Sequence, residues 1–144
     1  MMIKIENQTD FPLPIETLER VARSLTDREI ELVVCGDDAI RKLNALHRSK
    51  DHPTDVLSFP LEGDFKMMPL GSIVISSDTI HRKAEELGHT AQEESILLFL
   101  HGLLHLLGYD HECDRGEMRA REEAVIRSFG LPDSLIVRTE KEEE

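Results

Sequence analysis

SILLFLHGLLHLLGYDH, residues 95–111, is the stretch on which the reading of this chain turns. From Ile96 to Leu107 it is apolar on nearly every face, with His101 and His105 as its polar interruptions, so a helix built from it has no side to offer water. The run is short for a membrane span and carries two histidines, so its burial belongs to a protein interior. Residues four apart sit one turn apart on the same face, which lets both imidazoles reach one point. Gly108 falls where the helix should stop. Glycine accepts the left-handed conformation that ends a helix, and the chain can then fold back to bring His111 to the same point.

Working outward, the flanking segments alternate between strand and helix signals. Ile3 to Glu6 reads as a short strand, and the Pro12 and Pro14 cluster introduces a helix through about Leu25. EIELVVC, Glu29 to Cys35, suits a strand by its β-branched content, and Asp37 or Asp38 can cap a helix reaching about His47. Asp55 to Leu61 and Gly71 to Ser76 read as two more strands, parted by a loop holding Gly63 and Pro69. Ser77 or Asp78 caps a helix ending near Gly88. Thr90 with Glu93, and Asp114 with Glu117, have capping-box spacing for two more. The expected fold is α+β: a small mixed four-stranded sheet packed with about five helices, and the histidine helix-turn in a cleft.

The chain-wide figures bound the function. A chain of 144 residues suits one domain, here 1–144, with an acidic tail at 139–144 expected to lack fixed structure. Two cysteines, Cys35 and Cys113, cannot staple such a fold, and reduced thiols fit a soluble cytoplasmic protein without membrane attachment. The formal net charge of -12 argues against broad phosphate binding, and DNA is not an expected partner. Distribution matters more than the sum. RKLNALHRSKDH, residues 41–52, sets Arg41, Lys42, Arg48 and Lys50 against Asp51 alone, with His47 and His52 beside them. That segment is either a solvated helix face or the place where phosphate arrives.

His101, His105 and His111 have the H-x3-H-x5-H spacing of zinc ligands in metzincin proteases. Three histidines leave one tetrahedral position open, the arrangement of a catalytic rather than a structural zinc. Those proteases carry HExxH, and Gly102 stands where their water-activating glutamate would be. Glycine within a helix costs about 1 kcal/mol against alanine, so Gly102 answers a packing or access requirement, such as room for a bulky substrate. Cys113 is set aside as a ligand because a capped helix starts just after it. His47, His52, His81 and His89 lack ligand geometry and default to the surface. Zinc can lower the pKa of a bound water to about 7, which lessens the need for a strong protein base. Asp110, flanking His111, can orient a ligand or accept a proton. Glu112 is a weaker candidate.

HGLLHLLGYDH, together with LNALHRSKDHPTDVLSFP at 43–60 and LGSIVIS at 70–76, closely resembles the YbeY family of bacterial zinc-dependent endoribonucleases. The likeness runs from about Leu43 to Met118, and the first forty residues fit the family's size and order of elements. It implies a single-strand-specific, metal-dependent endoribonuclease acting in ribosomal RNA maturation, notably near the 3′ end of the small-subunit RNA, and in ribosome quality control. It implies one Zn2+ per chain on His101, His105 and His111, Arg48 as the functional arginine, and single-stranded or ribosomal RNA and the small ribosomal subunit as partners. Many members read LGDI where this chain has Leu70-Gly71-Ser72-Ile73, so Ser72 has no role by transfer. Two other readings share the histidines: a non-catalytic ribosome-assembly factor stabilised by zinc, and a metalloprotease lacking its usual base.

Overall fold

The computed structural model describes residues 2–48, 56–60, 69–110 and 114–131, without the side chains of His47 and Arg48. His52, Gly63, His111, Glu112, Cys113 and the acidic tail lie outside the described residues. Along the chain run β1 (Ile3–Asn7), α1 (Ile15–Leu25), β2 (Ile30–Cys35), α2 (Asp37–Arg48), β3 (Val56–Pro60), β4 (Gly71–Ser76), α3 (Ser77–Leu87), α4 (Ala91–Leu106) and α5 (Glu117–Phe129). The expected α+β architecture is the one adopted, a four-stranded mixed sheet with five helices among the described residues.

The sheet order is β1-β2-β4-β3. β1, β2 and β4 run parallel, while β3 pairs antiparallel with β4 and forms one edge. Strand alternation divides the apolar side chains between two faces. Ile30, Leu32, Val34, Ile73 and Ile75 join the larger core with α1, α3, α4 and α5. Val33, Cys35, Val74, Leu57 and Phe59 join a smaller one with Ala39, Ile40 and Leu43 of α2. The sheet is therefore the middle layer, with α2 covering one face and α4 lying against β3 and β4 on the other.

α4 is buried as its composition requires. Leu97, Leu98, Phe99, Leu100, Leu103 and Leu104 are all at most 1% exposed. Each such side chain contributes roughly 1.5–3 kcal/mol on burial, so this helix is the main anchor of the larger core. Thr90 and Glu93 form the expected capping box at its start. At its end Gly108 has φ +99°, and its N–H donates to His105 O while that of Tyr109 donates to Leu104 O, the paired bonds of a Schellman ending.

Three local expectations are corrected. Ser76, not Ser77 or Asp78, caps α3, accepting from Thr79 N. α5 has Gly116 at its N-cap position with no side-chain cap. The Asp114 carboxylate instead accepts from Gly116 N and Met118 N, and Glu117 accepts from Arg115 N, so the two acids order the turn before the helix without making a reciprocal box. His89 is not a surface residue: its side chain is 9% exposed and its Nε2 lies 2.7 Å from Oε1 of Glu94, which is itself fully buried. A helix-entry histidine can be drawn inward when a carboxylate one turn into that helix needs a partner.

Candidate metal centre

His101 and His105 project from the last turns of α4 with their Nε2 atoms 3.2 Å apart and ring planes at 79°. Each ring is held from behind. His105 Nδ1 lies 3.0 Å from the carbonyl oxygen of Tyr109, and a carbonyl only accepts, so Nδ1 carries the hydrogen. His101 Nδ1 lies 3.1 Å from Oε2 of Glu122, reaching in from α5. With both Nδ1–H groups directed at acceptors, the neutral rings have their Nε2 lone pairs turned towards one another. Lone pairs at that distance repel unless a Lewis acid joins them, either a proton or a metal ion. Two ligands on one tetrahedral zinc, each at about 2.0–2.1 Å, stand about 3.3–3.4 Å apart, so the pair is spaced as zinc requires.

Backbone order at the helix end prepares this geometry. The turn that places Gly108 in the left-handed region also aims the Tyr109 carbonyl at His105, and the chain then continues through Asp110 to His111. His111 itself lies outside the described residues. Among those described, no group of three histidine, cysteine or acidic side chains is gathered for a metal. Asp110 is exposed, and its backbone carbonyl accepts from Asp114 N, tying the histidine turn to the start of α5.

Gly102 faces the sheet. A Cβ built on it would stand 3.0 Å from Ile73 Cγ2, 3.1 Å from Ser58 Oγ and 3.1 Å from Val56 Cγ2. The Ser58 hydroxyl donates to the Gly102 carbonyl at 3.1 Å. The close seat of α4 on β3 and β4 favours glycine here, and three sheet side chains, rather than open room for a substrate, border the space a Cβ would enter. No glutamate of the protease kind fits there.

α2 ends at Arg48, whose side chain is not described, and Arg41 and Lys42 are exposed on the same helix. A hollow of about 650 Å³ beside them is lined by Asp38, Arg41, Lys42, Ala45 and Leu46. At the other end of α2, Asp37 accepts from Ser76 Oγ at 2.6 Å, Thr79 Oγ1 at 3.1 Å and Arg82 at 3.4 Å. Burial works to raise the Asp37 carboxyl, but those three hydrogen bonds and the charge of Arg82 together hold it below its ordinary value. This node pins α2 to the β4–α3 junction. Cys35 beside it is a buried free thiol, and burial first, then the charges of Asp37 and Asp78, push its pKa up and disfavour the thiolate. Ser72 is half-buried and donates to Glu31 of the neighbouring strand at 3.0 Å.

The family model described as Endoribonuclease YbeY matches residues 4–130. The chain belongs to the YbeY family. It is 54% identical to the Endoribonuclease YbeY of Sulfurovum sp. (strain NBC37-1), with 96% of this chain and 98% of the relative covered. It is 57% identical to that of Nautilia profundicola, with 96% and 99% covered. The solution structure of a Thermotoga maritima protein matches with a TM-score of 0.63 at 29% identity, over 99% of this chain and 96% of that one. Among the described residues of this YbeY-family chain, no helix is long and apolar enough to cross a membrane.

Sequence reasoning missed Glu122. The signal was present: Met118, Val125 and Ile126 form a buried stripe on α5, and Glu122 is an acid in the middle of it.

Proposed function

We propose that this protein is a zinc-dependent, single-strand-specific endoribonuclease of the cytoplasm, acting in ribosomal RNA maturation near the 3′ end of the small-subunit RNA and in ribosome quality control. The observation that carries the reading is the pair of Nε2 atoms 3.2 Å apart, each ring backed by an acceptor, in a chain whose relatives are named endoribonucleases. In this reading His101, His105 and His111 hold one Zn2+ and leave a fourth position open. When bound, zinc supplies Lewis acidity, polarising a phosphoryl oxygen and easing deprotonation of water near neutral pH.

The chain's own residues do the rest. The Tyr109 carbonyl keeps the His105 imidazole in the tautomer that binds metal. Arg48 clamps the reacting phosphate with its planar fork and stabilises the charge that grows there. Arg41 and Lys42, beside the hollow on α2, attract the flanking RNA backbone and concentrate positive charge on an otherwise acidic protein. Asp110 orients His111 or accepts a proton. The small ribosomal subunit is the proposed setting, and single-stranded RNA the substrate.

The test is incubation of metal-loaded and chelated protein with a structured ribosomal RNA fragment, followed by mapping of the cut ends. Cuts in single-stranded segments that vanish on chelation are expected. A 2′,3′-cyclic phosphate at those ends marks attack by the RNA's own hydroxyl, whereas a 5′-phosphate marks attack by water. Tight RNA binding with no cut under any metal condition would replace this reading with the non-catalytic assembly factor.

A further inference from the structure

Glu122 is the most deeply buried acid near the histidine pair, with 0% exposure, and it arrives on a different helix from the histidines. Its Oε2 lies 3.1 Å from Nδ1 of His101, whose side chain is 9% exposed. Met118 one turn before it and Val125 and Ile126 one turn after it are all buried in the larger core, so the carboxylate is delivered by a rigid apolar stripe. A carboxylate costs several kcal/mol to bury and would be replaced readily by leucine if packing were its only task. Its placement behind a histidine whose other nitrogen faces His105 gives it a different task.

We propose that Glu122 is a positioning residue for the metal centre: it fixes the Nδ1–H tautomer of His101, aims Nε2 at the metal and makes that nitrogen a stronger donor. The inference rests on the zinc reading above and extends it to α5. A carboxylate behind a ligating imidazole raises its basicity, and losing such a partner weakens metal binding about 10- to 100-fold. Docking of α5 and metal affinity are then coupled, because the helix that carries Glu122 also fills the core through Met118.

The test is competitive zinc titration of wild type, Glu122→Gln and Glu122→Leu, with thermal melting of each metal-free protein and NMR of the His101 Nδ1 proton in the zinc-loaded forms. The expected result is zinc affinity reduced about 10- to 100-fold in Glu122→Leu, and less in Glu122→Gln, which keeps an acceptor. Metal-free melting of Glu122→Gln should stay near wild type, and its His101 Nδ1 proton should move upfield as the charged acceptor is lost. A purely structural clamp would instead lower metal-free melting in step with zinc affinity in both variants. Wild-type zinc affinity in Glu122→Leu overturns the inference; if that variant fails to fold, unchanged affinity and an unmoved proton in Glu122→Gln do so. Wild-type protein that binds no zinc through His101 would defeat the underlying zinc reading instead, so the two failures are distinct.

Discussion

Replacing Gly102 by alanine separates helix propensity from the packing of α4 on the sheet. Alanine is favoured over glycine in a helix interior by about 1 kcal/mol, and burying its methyl adds roughly 0.8 kcal/mol. With free space at the site, Gly102→Ala would therefore stabilise the protein by about 1–2 kcal/mol. The space is not free: the new methyl would meet Ile73 Cγ2 at 3.0 Å and both Ser58 Oγ and Val56 Cγ2 at 3.1 Å. Heavy atoms pack best at about 3.5–4.0 Å, so three contacts are short together and each neighbour must give by a few tenths of an ångström. Ile73 is fully buried in β4, so relief must come from the edge strand, which would move outward and loosen the Ser58 bond to the Gly102 carbonyl. Overpacking of this kind costs about 1–3 kcal/mol. With three neighbours displaced together the cost lies at the upper end of that range, about 3 kcal/mol, against a gain of about 2, so Gly102→Ala should lose about 1 kcal/mol net. Gly102→Glu, which restores the protease residue, must drive a charged chain into the same gap and should lose about 3 kcal/mol or more. Urea unfolding of the metal-free proteins at neutral pH reads this as a lower midpoint at unchanged slope. An alanine variant more stable than wild type by about 1 kcal/mol would refute the argument and reopen the space to substrate.

Gly71→Ala should be more damaging still, because its Cβ would lie 2.5 Å from the Phe59 carbonyl oxygen, a backbone atom that cannot step aside without breaking the β3–β4 pairing; a thermal melt should show a loss of about 3 kcal/mol or more. The lowered carboxyl of Asp37 stabilises the fold above the unfolded value near 3.8, and that contribution is lost as pH falls through the still lower folded value. Asp37→Asn should therefore flatten the acid side of the stability profile between about pH 5 and pH 2, measured as urea midpoints. Arg48→Lys keeps charge but loses the planar fork, so single-turnover cleavage at saturating protein should fall about 100- to 1000-fold with RNA affinity nearly unchanged. Wild-type cleavage and binding in both Arg48→Lys and Arg48→Ala would reduce Arg48 to a surface residue.

The parts of the fold legible in the sequence were those in which one local signal agreed with burial. α4 could be read because apolar residues on every side leave one possible environment, and its end because Gly108 supplies a conformation that other residues avoid. The β-branched run EIELVVC marked β2. What was not legible depended on partners distant in sequence. Nothing near Gly102 announces β3 and β4, so a packing glycine and an access glycine look alike until Ile73, Ser58 and Val56 are in place. His89 reads as a surface residue until Glu94 turns to it. The spacing of Asp114 and Glu117 satisfies a capping box, yet Asp114 accepts from Gly116 N and Met118 N, Glu117 turns back to Arg115 N, and α5 starts from a left-handed glycine. Glu122 was hidden for a related reason: an acid in a helical heptad ordinarily faces water, and only the buried stripe around it shows that this one faces His101.

Zinc stoichiometry tests the proposed metal centre most directly, measured by elemental analysis of purified wild type and of His101→Ala, His105→Ala and His111→Ala after equal exposure to zinc and removal of excess. The expectation is one zinc per chain in wild type, a large loss in each single variant, and release from wild type as pH falls and the imidazoles take up protons. Undiminished zinc in His105→Ala would place the metal elsewhere and contradict the central claim.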